Sequence, residues 1–318
     1  MFKLPLFTVL CVLLRIALAP AQEPINFSYS AVTPTQAGVW MAEETGAFRR
    51  NGLDVKLVYI PSGGTSMQAL LGGSLDAAHA GSSAVIVAAA QGAPVVAIAA
   101  PQNRPVYTLW VQPEIQRIEE LKGKVLGFTR FNSSTHFVTV LVLKKYGLER
   151  DVQARPMGGV PEMLSAFSRR QVAGVVTANP PGGKARNLLN VADLGIPYAT
   201  GVIATTRDYL RNRRPTLKRL LRAYSEGVAE IFHQRDKTIA VLGKYLRRGD
   251  EKALGEIYDQ LRNYVERVPR VDPRIVESIL SVLGKESAGG AGSAIDNSVV
   301  EELVGEKLYA RLYGKEVR

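Results

Sequence analysis

The chain has 318 residues, 46% hydrophobic and 22% charged, too apolar for a disordered protein and long enough to divide its core between two lobes. Its 17 Pro and 29 Gly exclude collagen-like and low-complexity readings, and its single Cys and three His leave little material for disulfide, thiol or metal chemistry. The formal net charge of +11 admits nucleic acid, an acidic surface or an anionic ligand as a partner.

Met1–Ala21 (MFKLPLFTVLCVLLRIALAPA) begins with a basic Lys3, runs apolar from Leu4 to Leu18 and ends in Ala19-Pro20-Ala21, a small-residue cleavage pattern. It predicts an export signal cut after Ala21 and a periplasmic protein. Arg15 interrupts the apolar run and makes it a poor membrane span. An uncleaved anchor is the competing reading. Cys11 sits ahead of most of the apolar run, unlike an acylated lipoprotein cysteine. Residues 22–318 contain no cysteine, which suits an oxidising compartment.

Residues 25–31 (INFSYSA) alternate and predict a strand. Residues 36–50 predict a helix with Trp40, Ala47 and Phe48 inward, stopped by Asn51-Gly52. A strand over 53–60, a short helix over 65–71, a strand over 76–80 and an Ala-rich helix over 82–91 follow. The apolar run 95–100 (VVAIAA) reads as a buried strand of the parallel kind. Strands alternating with helices of this length predict a parallel sheet covered on both sides.

A second set begins with a strand over 106–111. It continues with a helical turn at 118–121, a strand over 124–129 and a helix over 134–146 stopped by Gly147. A strand over 152–155, a helix over 160–169 and a strand over 172–178 come next. Pro180-Pro181-Gly182-Gly183 is read as the start of a short helix, and 202–206 as a strand leading out. Beyond 207 the pattern is helical only: 213–233, 236–246, 251–268, 273–283 and 299–312, with the flexible SAGGAGS loop at 287–293. The expected division is residues 1–21 as signal, 22–105 as the first part of lobe 1, 106–202 as lobe 2, and 203–318 as a return to lobe 1. Two crossings between lobes make a cleft that closes by hinging.

The excess positive charge lies beyond residue 105. Its densest cluster is Arg207, Arg211, Arg213, Arg214, Lys218, Arg219 and Arg222, read as a solvated helix face or a docking surface. The basic residues alternate with acids and carry no aromatic platform or recognition motif, so no nucleic-acid partner is expected.

In open α/β sheets ligands bind beyond the carboxyl ends of the strands. The loops there are small and polar, which selects the candidate ligand contacts: Thr35 and Gln36; Gly64 and Thr65; Ser82 and Ser83; Arg130, Phe131, Asn132, Ser133, Ser134 and Thr135; and Asn179. Helix capping alone also explains Ser and Thr at such positions. Free N–H groups and helix dipoles there favour an anionic or polar ligand group. Arg130 has the planar fork that pairs with a carboxylate, sulfonate or phosphate.

The run from Val32 to Ala100 resembles solute-binding proteins of ABC transporters. It is similar to the NMT1/THI5-like group, which includes sulfonate-, nitrate- and thiamine-pyrimidine-binding proteins. Gly46-Ala47-Phe48, Gly52-Leu53-Asp54-Val55, Gly63-Gly64-Thr65, Leu75-Asp76 and Gly92-Ala93-Pro94 carry the resemblance in the first half. Leu121-Lys122-Gly123-Lys124, Ser134-Thr135-His136 and Tyr146-Gly147-Leu148 carry it in the second. The resemblance covers roughly residues 25–285. It implies an α/β type II periplasmic-binding-protein fold: two α/β lobes, two crossovers, and a helical C-terminal region packed on the first lobe. It implies a small-molecule ligand in the cleft, an ABC permease with its ATPase as membrane partners, a monomer, and no cofactor. One stretch departs from the group: VAGVVTANPPGG over 172–183 lacks the acid and the Trp carried there, and Asn179 is the candidate replacement.

Two other classes stay open. Enzymes share this fold, among them pyrimidine synthases, menaquinone-pathway enzymes and a cysteine desulfinase. The desulfinase type needs a cysteine nucleophile and the synthases a Cys-rich motif, neither present after residue 21. Ser134 and His136, at i and i+2, do not share a helix face. A periplasmic sensor feeding a membrane receptor has the same sequence requirements as a transporter component.

Overall fold

The computed structural model describes residues 22–283 and 293–314; the expected export signal and residues 287–292 of the expected loop lie outside them. The chain opens with β1 (Glu23–Tyr29), α1 (Ala37–Glu44), α2 (Ala47–Arg50), β2 (Leu53–Tyr59), α3 (Gly63–Leu71), β3 (Ala77–Ala80), α4 (Ser82–Ala90) and β4 (Val95–Gln102). It crosses to β5 (Thr108–Val111), β6 (Val125–Phe128), α5 (Ser134–Lys145), β7 (Gln153–Pro156), α6 (Val160–Ser168), β8 (Gly174–Thr177) and β9 (Arg186–Asn190). It returns through β10 (Gly201–Thr206) into α7 (Arg207–Asn212), α8 (Arg214–His233), α9 (Arg235–Leu246) and α10 (Glu251–Tyr264). The last helices are α11 (Arg274–Val282), α12 (Ser298–Gly305) and α13 (Leu308–Tyr313).

Two five-stranded sheets result, ordered β2-β1-β3-β10-β4 and β7-β6-β8-β5-β9. The sheets are mixed, which corrects the purely parallel expectation. β10 runs antiparallel to both β3 and β4, and β5 runs antiparallel to both β8 and β9. The apolar run of β4 therefore reflects burial on both faces, not parallel pairing. Its remaining edge is bridged by the chain at Ile295, with Ala97 N donating to Ala294 O and Asp296 N to Ala97 O. A covered edge is protected from pairing with other chains.

The helix expected over 36–50 is broken. A 3-10 turn over Pro34–Gln36 leads into α1, and Gly46 takes φ 71° before α2, a left-handed conformation that glycine adopts without strain. The expected helix after Pro180 is instead an irregular loop and β9. Arg186-Asn187-Leu188-Leu189-Asn190 lacks the alternation that marks a strand, because it is an outer strand with no fully buried residue. The helix expected over 299–312 is two helices, separated by Lys307 at φ 58°.

The helical return packs on the first sheet. Trp40 of α1 is fully buried, stacked on Tyr245 at 4.7 Å and edge-on to Tyr29 at 6.0 Å. α1 is enclosed by neighbours, so it carries almost no polar face. α8 approaches it through glycine: a Cβ on Gly227 would meet Gly38 O at 2.6 Å and Ala42 N at 2.5 Å. The basic cluster of α8 is paired. Arg214 meets Glu302 at 2.6 Å, Lys218 meets Glu302 and Glu306, Arg222 meets Glu306, and Arg219 meets Glu23. These bridges tie α8 to α12 and to β1.

His79 on β3 is completely buried, and neither ring nitrogen has a hydrogen-bond partner. A Cβ on Gly201 would meet both His79 Nε2 and Gln102 Oε1, so the imidazole lies where β4 leaves the first sheet and β10 enters it. Burial lowers the His79 pKa from 6.5 to about 3. The folded protein thus refuses a proton that the unfolded chain accepts below its ordinary value. Stability through His79 is intact above pH 6.5 and falls as the pH drops towards 3. Half-buried His136 adds a slope of the same sign. Acidification from pH 7 to pH 5 is expected to cost about 2 kcal/mol through His79. Urea denaturation at both values should show a smaller loss for His79→Leu; an equal loss would exclude His79 as the source.

Candidate functional site

The strands of each sheet that point towards the other end in short loops, and most of these loops start a helix. Ser30, Ala31 and Thr33 follow β1, and Thr35 and Gln36 lie in the 3-10 turn before α1. Ser62 and Gly63 begin α3, and Gly81 precedes α4. From the second sheet, Thr129 follows β6, Ser133 to Thr135 begin α5, Gly159 and Val160 begin α6, and Thr177 and Ala178 end β8. Tyr107 and Thr200 come from the two crossings. These residues enclose one cavity of about 50 Å³ between the sheets. That volume suits a few waters or a small polar molecule.

The sequence makes this convergence possible through its small residues. The helix starts carry Gly or Ser at the N-cap: Ser62 at α3, Gly81 at α4, Ser133 at α5 and Gly159 at α6. A Cβ on Gly81 would overlap Ser134 Oγ, so the two halves meet there in contact that glycine alone permits. Pro161 stands in the first turn of α6, where its missing N–H costs nothing.

Hydrogen bonds fix the hydroxyls of the wall. Thr129 Oγ1 donates to Ser133 Oγ at 2.9 Å and shares a bond with Thr135 Oγ1 at 2.8 Å. Thr129 N donates to Thr135 Oγ1 at 2.9 Å, and Ser133 Oγ accepts from His136 N at 3.3 Å, capping α5. Across the cavity, Thr33 and Thr35 hydroxyls are 2.6 Å apart. Gln102 Nε2 holds Thr35 O at 2.9 Å, and Gln36 Oε1 is buried with no hydrogen-bond partner. Among the described lining residues none carries a carboxylate, amine, guanidinium, imidazole or thiol. Burial pushes the Tyr107 hydroxyl up, so it stays protonated.

Four helices of nine or more residues thus aim their N-termini at a small polar space that holds no charged side chain. Their dipoles and unpaired N–H groups make the space electropositive. The wall can neutralise an anion by many weak donors instead of one countercharge.

Thr35, Gln36, Ser133, Ser134 and Thr135, expected from the sequence as ligand contacts, line this cavity. The remaining expected residues lie outside its lining. Gly64 and Thr65 follow Gly63 into α3, and Thr65 turns to solvent. Ser82 Oγ donates to Ala199 O at 2.5 Å, and Ser83 Oγ accepts from Tyr198 at 3.3 Å, so both anchor the return crossing. Arg130 is exposed, and its guanidinium donates to Pro61 O at 2.9 Å instead of facing the cavity. Phe131 is 63% exposed and edge-on to Phe128 at 5.2 Å. Asn132 takes φ 61° and donates its N–H to His136 Nδ1 at 3.3 Å. Asn179 Nδ2 donates to Val32 O at 2.8 Å. Gly159, Val160, Thr177, Tyr107 and Thr200 were not selected from sequence. Gly158-Gly159 ahead of Pro161 is a helix-start signal that identifies the first two; the crossing residues carry no such signal.

Comparison with known proteins places the chain. A family model described as NMT1/THI5 like matches residues 33–238. No curated protein matches in sequence. Among solved structures, the chain is similar to the alkanesulfonate-binding protein SsuA from Xanthomonas axonopodis pv. citri bound to MOPS. The two are 19% identical, with a TM-score of 0.74 over 87% of this chain and 99% of that one. The periplasmic nitrate-binding protein NrtA from Synechocystis PCC 6803 is 13% identical, with a TM-score of 0.71 over 93% of this chain and 90% of that one. The desulfurization enzyme DSZB is 12% identical, with a TM-score of 0.61 over 90% of this chain and all of that one. At these identities the solved structures establish the fold, that of periplasmic binding proteins. The family model spans most of the chain and both sides of the cavity, and on that ground the protein belongs to the NMT1/THI5-like family.

Proposed function

We propose that the protein is an extracytoplasmic solute-binding component of an ABC importer that captures a small anionic or polar molecule by closure of two lobes. The observation that carries the reading is the enclosed cavity, walled equally by both sheets, with four helix N-termini and no charged side chain. A site of this kind rewards a ligand whose negative charge is spread over several oxygens. Its volume of about 50 Å³ favours a compact head group. The alkanesulfonate-binding and nitrate-binding proteins that share its fold are named for ligands of that chemistry. An importer partner, a periplasmic location and a monomeric state belong to the same proposal. No helix among the described residues is long and apolar enough to cross a membrane.

An enzyme is the second reading, because DSZB shares the fold. The wall offers hydroxyls but no group that exchanges a proton near neutral pH. His136, the imidazole nearest in sequence to Ser134, receives the Asn132 N–H and lies against Phe128 at 4.7 Å. The binding reading needs none of the missing groups.

In a thermal-shift panel of sulfate, ethanesulfonate, nitrate, aromatic carboxylates, aminopyrimidines and polyamines, an anion is expected to raise the midpoint by several degrees. A ligand at 100 times its dissociation constant adds about 2.7 kcal/mol. A response to polyamines alone would overturn the anionic assignment. Gly81→Ala places a Cβ against Ser134 and is expected to hold the lobes apart. Calorimetric titration with the most effective anion should show at least a tenfold weaker affinity with little change in the unliganded midpoint. Unchanged affinity would mean that binding does not require this closure.

A further inference from the structure

Three side chains reach across the cleft to a backbone carbonyl on the other side. Arg130 Nη1 donates to Pro61 O at 2.9 Å, Asn179 Nδ2 to Val32 O at 2.8 Å, and Arg248 Nη2 to Pro180 O at 2.8 Å. The first two bonds join chain neighbours of the cavity wall. Thr129 precedes Arg130 and Ser62 follows Pro61; Ala178 precedes Asn179 and Thr33 follows Val32. Those residues cannot be altered without moving the wall.

Arg248 is different. It sits in the turn between α9 and α10, and neither it nor its neighbours line the cavity. The turn holds it at both ends. Arg247, at φ 53°, closes α9, and Arg248 N donates to Gly243 O at 3.1 Å. Two residues later Asp250 caps α10 by accepting from Ala253 N at 3.1 Å. The acceptor is stiff as well: Pro180 is followed by Pro181, whose rings fix φ and supply no competing N–H. A charged donor gives a stronger bond than a neutral one. Between the capped turn and the Pro-Pro pair, such a bond forms when the lobes are close and is lost when they part. A second space of about 140 Å³ lies beside it, walled by Val32, Leu164, Asn179, Pro180, Leu246 and Arg248 among others. Truncating Arg248 therefore enlarges an existing space and opens no new one in the core.

We propose that Arg248 is a positioning residue for lobe closure: its bond to Pro180 holds a closed population before any ligand arrives, and so sets affinity at a cavity it does not touch. The consequence for affinity rests on the cleft reading above; the closed population itself does not. For a ligand that binds the closed form only, the apparent dissociation constant rises as the closed fraction falls, by the same factor.

The test is a spin-label distance measurement on the full chain carrying Cys11→Ser, Gln68→Cys and Arg150→Cys, with no ligand added. Both labelled positions are exposed, one on α3 and one beyond α5. With Arg248 present, a short, closed separation is expected. Arg248→Ala should reduce its fraction at least fivefold, and Arg248→Lys, which keeps a donor, should fall between them. A purely structural role would lower the thermal midpoint of Arg248→Ala without shifting the separations. A single long separation with Arg248 intact, or an unchanged closed fraction in Arg248→Ala, overturns the proposal. If Arg248→Ala does not fold, the comparison is made between Arg248 and Arg248→Lys, and equal closed fractions overturn it. Loss of the closed fraction in Arg248→Ala together with no anion response in the thermal panel would sink the cleft reading and leave the closure role standing.

Discussion

The contact of Gly81 with Ser134 is the constraint on which the cavity depends. It brings the start of α4 in one half against the start of α5 in the other. Once those two helix starts meet, α3 and α6 are carried to the same place by the sheets that precede them. Four positive helix ends then face each other across a small space, an arrangement that repels itself unless negative charge enters. The Thr33, Thr35, Thr129, Ser133 and Thr135 hydroxyls of the wall are neutral and bond to one another. The hydrogen bonds from Arg130, Asn179 and Arg248 hold the two halves together against this repulsion.

The overall charge says little about this site. The chain is +11, yet the cavity wall holds no ionised side chain among the described residues. The basic cluster of α8 is occupied by Glu23, Glu302 and Glu306. Those pairs are partly solvated, so each contributes modestly, and their main effect is to fix how α12 and β1 lie against α8. A basic composition and a cavity free of charged side chains coexist here: guanidinium and ammonium groups lie on the outside, and helix N-termini face the space within.

Much of the architecture was legible in the sequence because strand and helix periods differ and glycine marks the ends. Leu53–Tyr59, Ser82–Ala90 and Val95–Gln102 stand near their expected bounds. β9 was missed because an outer strand with no fully buried residue leaves no alternating pattern. Strand direction was misjudged because β4 is apolar on both faces whichever way its neighbour runs. In the site, Ser133, Ser134 and Thr135 were legible as a polar helix start, whereas Ser82 and Ser83 look identical in sequence and serve the return crossing instead. A helix turns about 100° per residue, so only the first residues of each start can face the cavity. Tyr107 and Thr200 were illegible because a crossing acquires its neighbours only from tertiary structure.

The insertion of β10 between β3 and β4 bears on the order in which the molecule assembles. The second sheet draws all its strands from 108–190, one continuous stretch. The first sheet lacks an inner strand until residues 201–206 exist, because β3 and β4 are joined only through β10. Contacts that close so long a loop form slowly. During vectorial synthesis the half that begins later is therefore the half that can finish first. The earlier residues must wait as an open three-stranded fragment, β2-β1-β3, beside an unattached β4 that is apolar from Val95 to Pro101. That interval is when a chaperone that recognises extended apolar segments has its opportunity, and it ends with the pairing of six residues.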